Sequence, residues 1–173
     1  MGEMTADLAL AIVRVVTGLV LAAHGAQKAL GAFGGPGLTK WTGAAKGMGF
    51  RPAGLWANAA AWGELLGGLA LAVGLLTPVA AAVLAVDMLV AIWKVHWSKG
   101  LWITRGGYEY ALVLFIVFVL IGLVGDTAYS VDQVLGLSRI PPLLFLAALV
   151  VGLVAAVASG TPGGAPRHAG RPV

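Results

Sequence analysis

Ionisable side chains sit inside stretches that are otherwise greasy: Arg14, His24 and Lys28 in one apolar run, Glu64 in a second, Asp87, Lys94 and His96 in a third, with Glu109 opening a fourth. Carboxyl, imidazole and amine groups of this kind can pair with one another, exchange protons or hold a polar head group. A charge at the middle of a spanning helix costs roughly 2.5 to 3.5 kcal/mol on insertion scales, so such residues persist where they meet inside a bundle or perform a task. At about 100° per residue, Arg14 and Lys28 are about 40° apart around a helix and His24 is within about 80° of both, so one face carries all three. Asp87 and Lys94, seven residues apart, also share a face. His96 would point almost opposite Asp87 if that helix continued. The expectation is a polar pocket of His24, Lys28, Glu64, His96 and Glu109, with Arg14, Asp87 and Lys94 as ion-pair partners that fix helix order. No residue is singled out as catalytic.

The elements that must position these groups are membrane-spanning helices. The chain is 60% hydrophobic and only 10% charged, with a mean hydropathy of +0.94, against about 25% charged in an ordinary soluble domain. The composition predicts an all-α integral membrane protein with spans at about 8–30, 54–76, 78–97, 109–125 and 140–158. Residues 1–160 make one bundle, and the Pro- and Gly-rich tail 161–173 is expected to be disordered and cytoplasmic. The longest polar connection, from about Gly31 to Arg51, leaves no room for a soluble catalytic domain and suits a short interfacial helix at about 38–48. Thr77-Pro78 reads as a tight helical hairpin and Pro141-Pro142 as the first turn of the last helix. Gly63, Gly67 and Gly74 recur at helical spacing, which admits a neighbouring backbone or leaves room for a flat ligand beside Glu64.

Basic residues set the expected orientation. With five spans, nine Lys and Arg (Lys28, Lys40, Lys46, Arg51, Lys94, Lys99, Arg105, Arg167, Arg171) share one face and Arg139 alone lies on the other. The N-terminus is therefore expected outside and the C-terminus in the cytoplasm. The first apolar run follows an acidic start, Glu3 and Asp7, and reads as a retained helix. The basic residues are spread through loops, which fits a lipid surface and argues against nucleic acid. There is no cysteine, so a disulfide, a thiolate-held cluster or a dithiol relay would have to belong to a partner.

His24-Gly25 with Lys28, Phe33-Gly34-Gly35, Glu64-Leu65-Leu66-Gly67-Gly68 and Gly74-Leu75-Leu76-Thr77 together resemble the DoxX family. So do Asp87-Met88 through His96, Gly107-Tyr108-Glu109 and Ser130-Val131-Asp132. The resemblance covers residues 14–132 and implies a four-helix bacterial inner-membrane protein. Some members are linked to thiosulfate or quinol oxidation and others to membrane-associated oxidative-stress complexes. The added span at 140–158 departs from that pattern. A quinone head group needs a donor or acid near each carbonyl and an apolar corridor, and His24, Lys28, His96 and Glu109 supply the former. A haem between His24 and His96 lacks a repeated bis-histidine pattern, and a zinc site from His24, His96 and Glu109 has as little support in spacing. Three functional classes follow: a redox-associated subunit binding quinone or another lipid-soluble molecule, an accessory protein recruiting a soluble oxidoreductase or stress-defence partner, and a small transporter.

Overall fold

The computed structural model describes residues 2–125, 127–137 and 141–158. The tail expected to be disordered lies outside them. Among the described residues the chain is helical throughout: α1 (Gly2–Leu30), α2 (Gly37–Gly47), α3 (Ala53–Val73), α4 (Thr77–Ala91), α5 (Glu109–Val124), α6 (Val131–Val134) and α7 (Pro142–Ala158). Met4–Leu30 and Thr77–Lys99 are long and apolar enough to cross a bilayer, while Glu109–Val124 and Leu143–Ala158 are apolar but shorter.

α1 lies along α3, and α4 packs against α3, α5 and α7. Their common core holds Leu21, Leu71, Leu84, Leu114, Phe118, Ile121 and Phe145. The α1–α3 approach is close because of Gly18, Gly25 and Gly68: a methyl on Gly25 would fall 2.2 Å from the Leu65 nitrogen, and one on Gly68 would fall 2.5 Å from the Ala22 nitrogen. Small residues let helix backbones touch where lipid gives no hydrophobic drive to associate. Gly63 and Gly67 do something different. A methyl there would meet only Val83 or Leu84 side chains at 3.5 Å, an ordinary contact. The backbone approach expected of that glycine set belongs instead to Gly68.

The α3–α4 turn is built by backbone bonds. Gly74, left-handed at φ 73°, donates to Leu71 O (3.1 Å) and Leu75 donates to Ala70 O (2.8 Å), which closes α3 with a Schellman motif. Leu76 is also left-handed (φ 47°), and Pro78 follows in the first turn of α4. An L-residue in that region costs about 1–2 kcal/mol. Asp132 offsets this by accepting from Leu76 N (2.7 Å), Thr77 N (2.8 Å) and Thr77 Oγ1 (2.9 Å).

The third apolar run is not one uniform helix. α4 ends at Ala91 and gives way to a π-helical turn, Ile92–His96. The wider i→i+5 turn shifts the phase of everything after it, and such turns are frequent at functional sites. α7 docks by two features: a methyl on Gly152 would fall 2.6 Å from Val86 Cγ2, and the fully buried Phe145 ring occupies the space beside Gly122.

Candidate functional site: an internal cavity around Glu64

Lys28, in the last turn of α1, donates to Glu64 Oε1 on α3. The glycine-mediated crossing of these two helices brings them within reach. Glu64 is 2% exposed, with its second oxygen, Oε2, covered by the surrounding protein. Besides Lys28, the Asp87 side chain is within hydrogen-bonding reach of the carboxyl. Its charged neighbours are Lys28 and, on α4, Asp87. The Lys28 ammonium also lies 4.7 Å from the Trp41 ring centre, and the Trp41 indole donates to Ala57 O (3.2 Å), which ties α2 to α3 above the pair.

These residues border a cavity of about 710 Å³. His24 and Tyr110 stand on one side with ring centres 6.3 Å apart, and Lys94 and His96 reach it from the π turn. Trp41, Met48, Phe50 and Trp56 roof it under α2, and alanines of α3 and α7 complete the walls. His24 Nδ1 lies 2.9 Å from Val20 O and His96 Nδ1 lies 2.6 Å from Gly106 O. A carbonyl only accepts, so in both rings Nδ1 is the donor of this bond. Lys94 packs against Trp93 (4.2 Å) and Phe50 (4.9 Å). The site therefore offers two ammonium groups, two carboxyl groups and two imidazoles within an apolar shell.

His24, Lys28, Glu64 and His96 all line the cavity, and so do Asp87 and Lys94. The π turn explains His96, whose direction an unbroken α-helix would have reversed relative to Asp87. Glu109 is placed elsewhere. Its carboxylate accepts from Ile103 N (3.0 Å) and braces the loop that Gly107 folds tightly against Gly100 and Leu101; its neighbour Tyr110 lines the cavity instead. Arg14 is also remote, 14 residues before Lys28, about 21 Å along the helix. It is 2% exposed and donates to Tyr129 O (2.6 Å) and Thr127 Oγ1 (3.5 Å), across from Gly74. Sequence reasoning passed over Tyr110 and Trp41 at the cavity, and named Asp132 only as part of the family resemblance, without its bonds to the α3–α4 turn. Tyr110 follows a glutamate that took the attention, Trp41 reads as a membrane-belt aromatic, and Asp132 lies outside every span. Among the described residues, no group of three or more His, Asp or Glu is assembled that could hold a metal ion.

Two helices of spanning length and apolar composition, packed in a helical bundle, are features of a membrane protein. Residues 9–97, just over half of the chain, match the family model DoxX, and the chain belongs to that family. No curated protein and no solved structure matches it. The matched stretch runs from α1 through the π turn, so it contains Lys28, Glu64, Asp87 and His96, while α5 and α7 lie beyond it.

Proposed function

We propose that this DoxX protein is a non-autonomous redox-associated membrane subunit that binds a quinone or another lipid-soluble small molecule in the cavity around Glu64. The observation that carries the reading is the buried Lys28–Glu64–Asp87 cluster, whose residues border about 710 Å³ of mostly apolar space. Such a site suits a flat apolar body with one or two polar atoms. Glu64 and Asp87 supply acidic groups, Lys28 a cation, and His24 and His96 further hydrogen-bonding groups. The chain has no cysteine, so any thiol donor of electrons would belong to a partner. The basic loops favour a bacterial cytoplasmic membrane, N-terminus outside, with the cavity roof and a soluble oxidoreductase or stress-defence partner on the cytoplasmic side.

One observation favours the accessory reading as well. Trp97 is 64% and Trp102 60% exposed in the loop after the π turn, flanked by Lys99 and Arg105. That aromatic and basic loop could seat a partner. Purification in mild detergent, followed by mass spectrometry of accompanying lipid and protein, separates the readings. Quinone recovered with the wild type and lost from Glu64→Gln supports the first; a stoichiometric soluble enzyme without quinone supports the second. Neither would point to a transporter.

A further inference from the structure

We propose that Glu109 is a positioning residue for the cavity: through the loop that precedes α5, it fixes which nitrogen of the His96 ring is left to meet a bound molecule. The part His96 plays toward a ligand rests on the reading above, whereas the loop's hold on the ring has its own geometric support.

The two residues belong to different elements. His96 closes the π turn after α4, and Glu109 opens α5. Between them the chain makes a compact reversal: Tyr108 N donates to Gly100 O (3.1 Å), Glu109 N to Leu101 O (2.8 Å) and Gly107 N to Trp102 O (3.0 Å). Trp97 stacks on Tyr108 with ring centres 5.5 Å apart. A methyl on Gly107 would fall 2.3 Å from Gly100 O, so the two strands of the loop touch. At the tip, Ile103–Arg105 form a single 3-10 turn, closed by Gly106 N donating to Ile103 O (2.8 Å). The Glu109 carboxylate accepts from Ile103 N (3.0 Å) at the start of that turn. At its end Gly106, left-handed at φ 75°, presents its carbonyl to His96 Nδ1 at 2.6 Å.

Glu109 and His96 are thus joined by two hydrogen bonds and the one short turn between them. Ile103, Thr104 and Arg105 are all exposed, so apolar burial does little to hold this turn, and a lone 3-10 turn has poor hydrogen-bond geometry of its own. The bond that Glu109 makes at one end therefore steadies the carbonyl at the other. An imidazole's proton placement follows the partner of its bonded nitrogen. While Gly106 O accepts, Nδ1 is the donor, and Nε2 is the ring's remaining polar atom for the cavity that His96 lines. Without the brace, the carbonyl moves off and the proton is free to settle on Nε2, which changes what the ring offers a ligand. Glu109 acts on the cavity from outside it, with no contact to the bound molecule.

The test uses the full chain in lipid nanodiscs with nitrogen-15 in the histidine rings, the His96 signals being assigned by their loss in His96→Gln. At mildly alkaline pH, where an ordinary imidazole is neutral, wild-type His96 should carry its proton on Nδ1. Glu109→Ala should shift the tautomer ratio toward Nε2 about fivefold, the ratio that one neutral hydrogen bond sustains. Glu109→Gln, whose amide oxygen still accepts from Ile103 N, should restore the wild-type spectrum. Glu109→Asp, one methylene too short to reach Ile103 N, should reproduce the shift if Glu109→Ala does not fold. Binding of a ubiquinone with a single isoprene unit should weaken about fivefold in Glu109→Ala, with no further loss when that change is added to His96→Gln. A wild-type His96 protonated on Nε2, a spectrum unmoved by the Ala and Asp variants, a Gln variant as disturbed as they are, or ubiquinone bound equally by wild type and Glu109→Ala would overturn the proposal. The expected tautomer shifts in a wild type that binds no ubiquinone would sink the quinone reading and leave the positioning of His96 standing.

Discussion

Buried charge gathers at two levels of the α3–α4 hairpin, and the two clusters treat it differently. Near the turn, Asp132 is 1% exposed and accepts three hydrogen bonds from Leu76 and Thr77, while Arg14 donates to Tyr129 O and Thr127. Ser130 joins in by accepting from Gln133 N (3.1 Å) and donating to Thr127 O (2.7 Å). Gly74 leaves no slack, since a methyl there would fall 2.5 Å from Arg14 Nη1 and 2.7 Å from Ser130 Cβ. At the other level, Glu64 pairs with Lys28 and neighbours Asp87 at the border of a cavity. The first cluster is a fastener whose partners are mostly backbone. The second adjoins open space, and the proposed function reads it as a receptor. Residue type did not distinguish them; the presence or absence of adjoining space did.

The contrast breaks first at Asp132. Asp132→Ala strips three bonds from buried donors and uncaps α4, and should cost about 4 kcal/mol or more. Detergent-solubilised protein unfolded by denaturant reads this directly, and a loss below about 1 kcal/mol would deny the turn its fastening role. Gly74→Ala should follow at about 3 kcal/mol, because the left-handed backbone and the crowding by Arg14 and Ser130 add. The same unfolding titration checks it.

Effects at the cavity should be smaller and of another kind. Lys28→Met leaves the Glu64 carboxyl without its cation and should cost about 2 kcal/mol, less than the 3–5 kcal/mol of a fully buried pair because Lys28 is part-exposed. The double variant with Glu64→Gln should recover most of that loss, and a double-mutant cycle measures the coupling. Strict additivity of the two changes would mean that the pair carries no mutual energy. Glu64→Gln alone should cost less than about 1 kcal/mol, since the amide oxygen still accepts from Lys28.

Much of the helical frame was legible in the sequence for simple reasons. Long apolar runs bounded by Pro and Gly leave few alternatives, so α1, the Thr77-Pro78 start of α4 and the Pro142 start of α7 all follow from residues in view. The likeness of the scattered glycines, His24, Glu64 and Asp87 to DoxX was also legible, and the family match over 9–97 agrees with it. Side-chain direction was harder. A wheel drawn at constant pitch sends His96 away from Asp87, and only the π turn at Ile92–His96 reverses that. Sharing a helical face joined Arg14 to Lys28 on paper, yet axial distance sends them to different clusters. Glu109 and Tyr110 differ by one position, and loop geometry beyond any local pattern decides that the tyrosine meets the cavity. Nor could glycine spacing on α3 tell the backbone-contact residue, Gly68, from the cavity-facing Gly63.

Ligand binding by Glu64→Gln in nanodiscs, measured beside its unfolding free energy, bears most directly on the claim that the Glu64 carboxyl is part of a receptor. Wild-type protein should bind a quinone with the variant weakened about tenfold or more, while the unfolding free energies agree within about 1 kcal/mol. Equal binding by both proteins, or a variant that loses binding only because it unfolds, would contradict the account and return Glu64 to the class of fasteners.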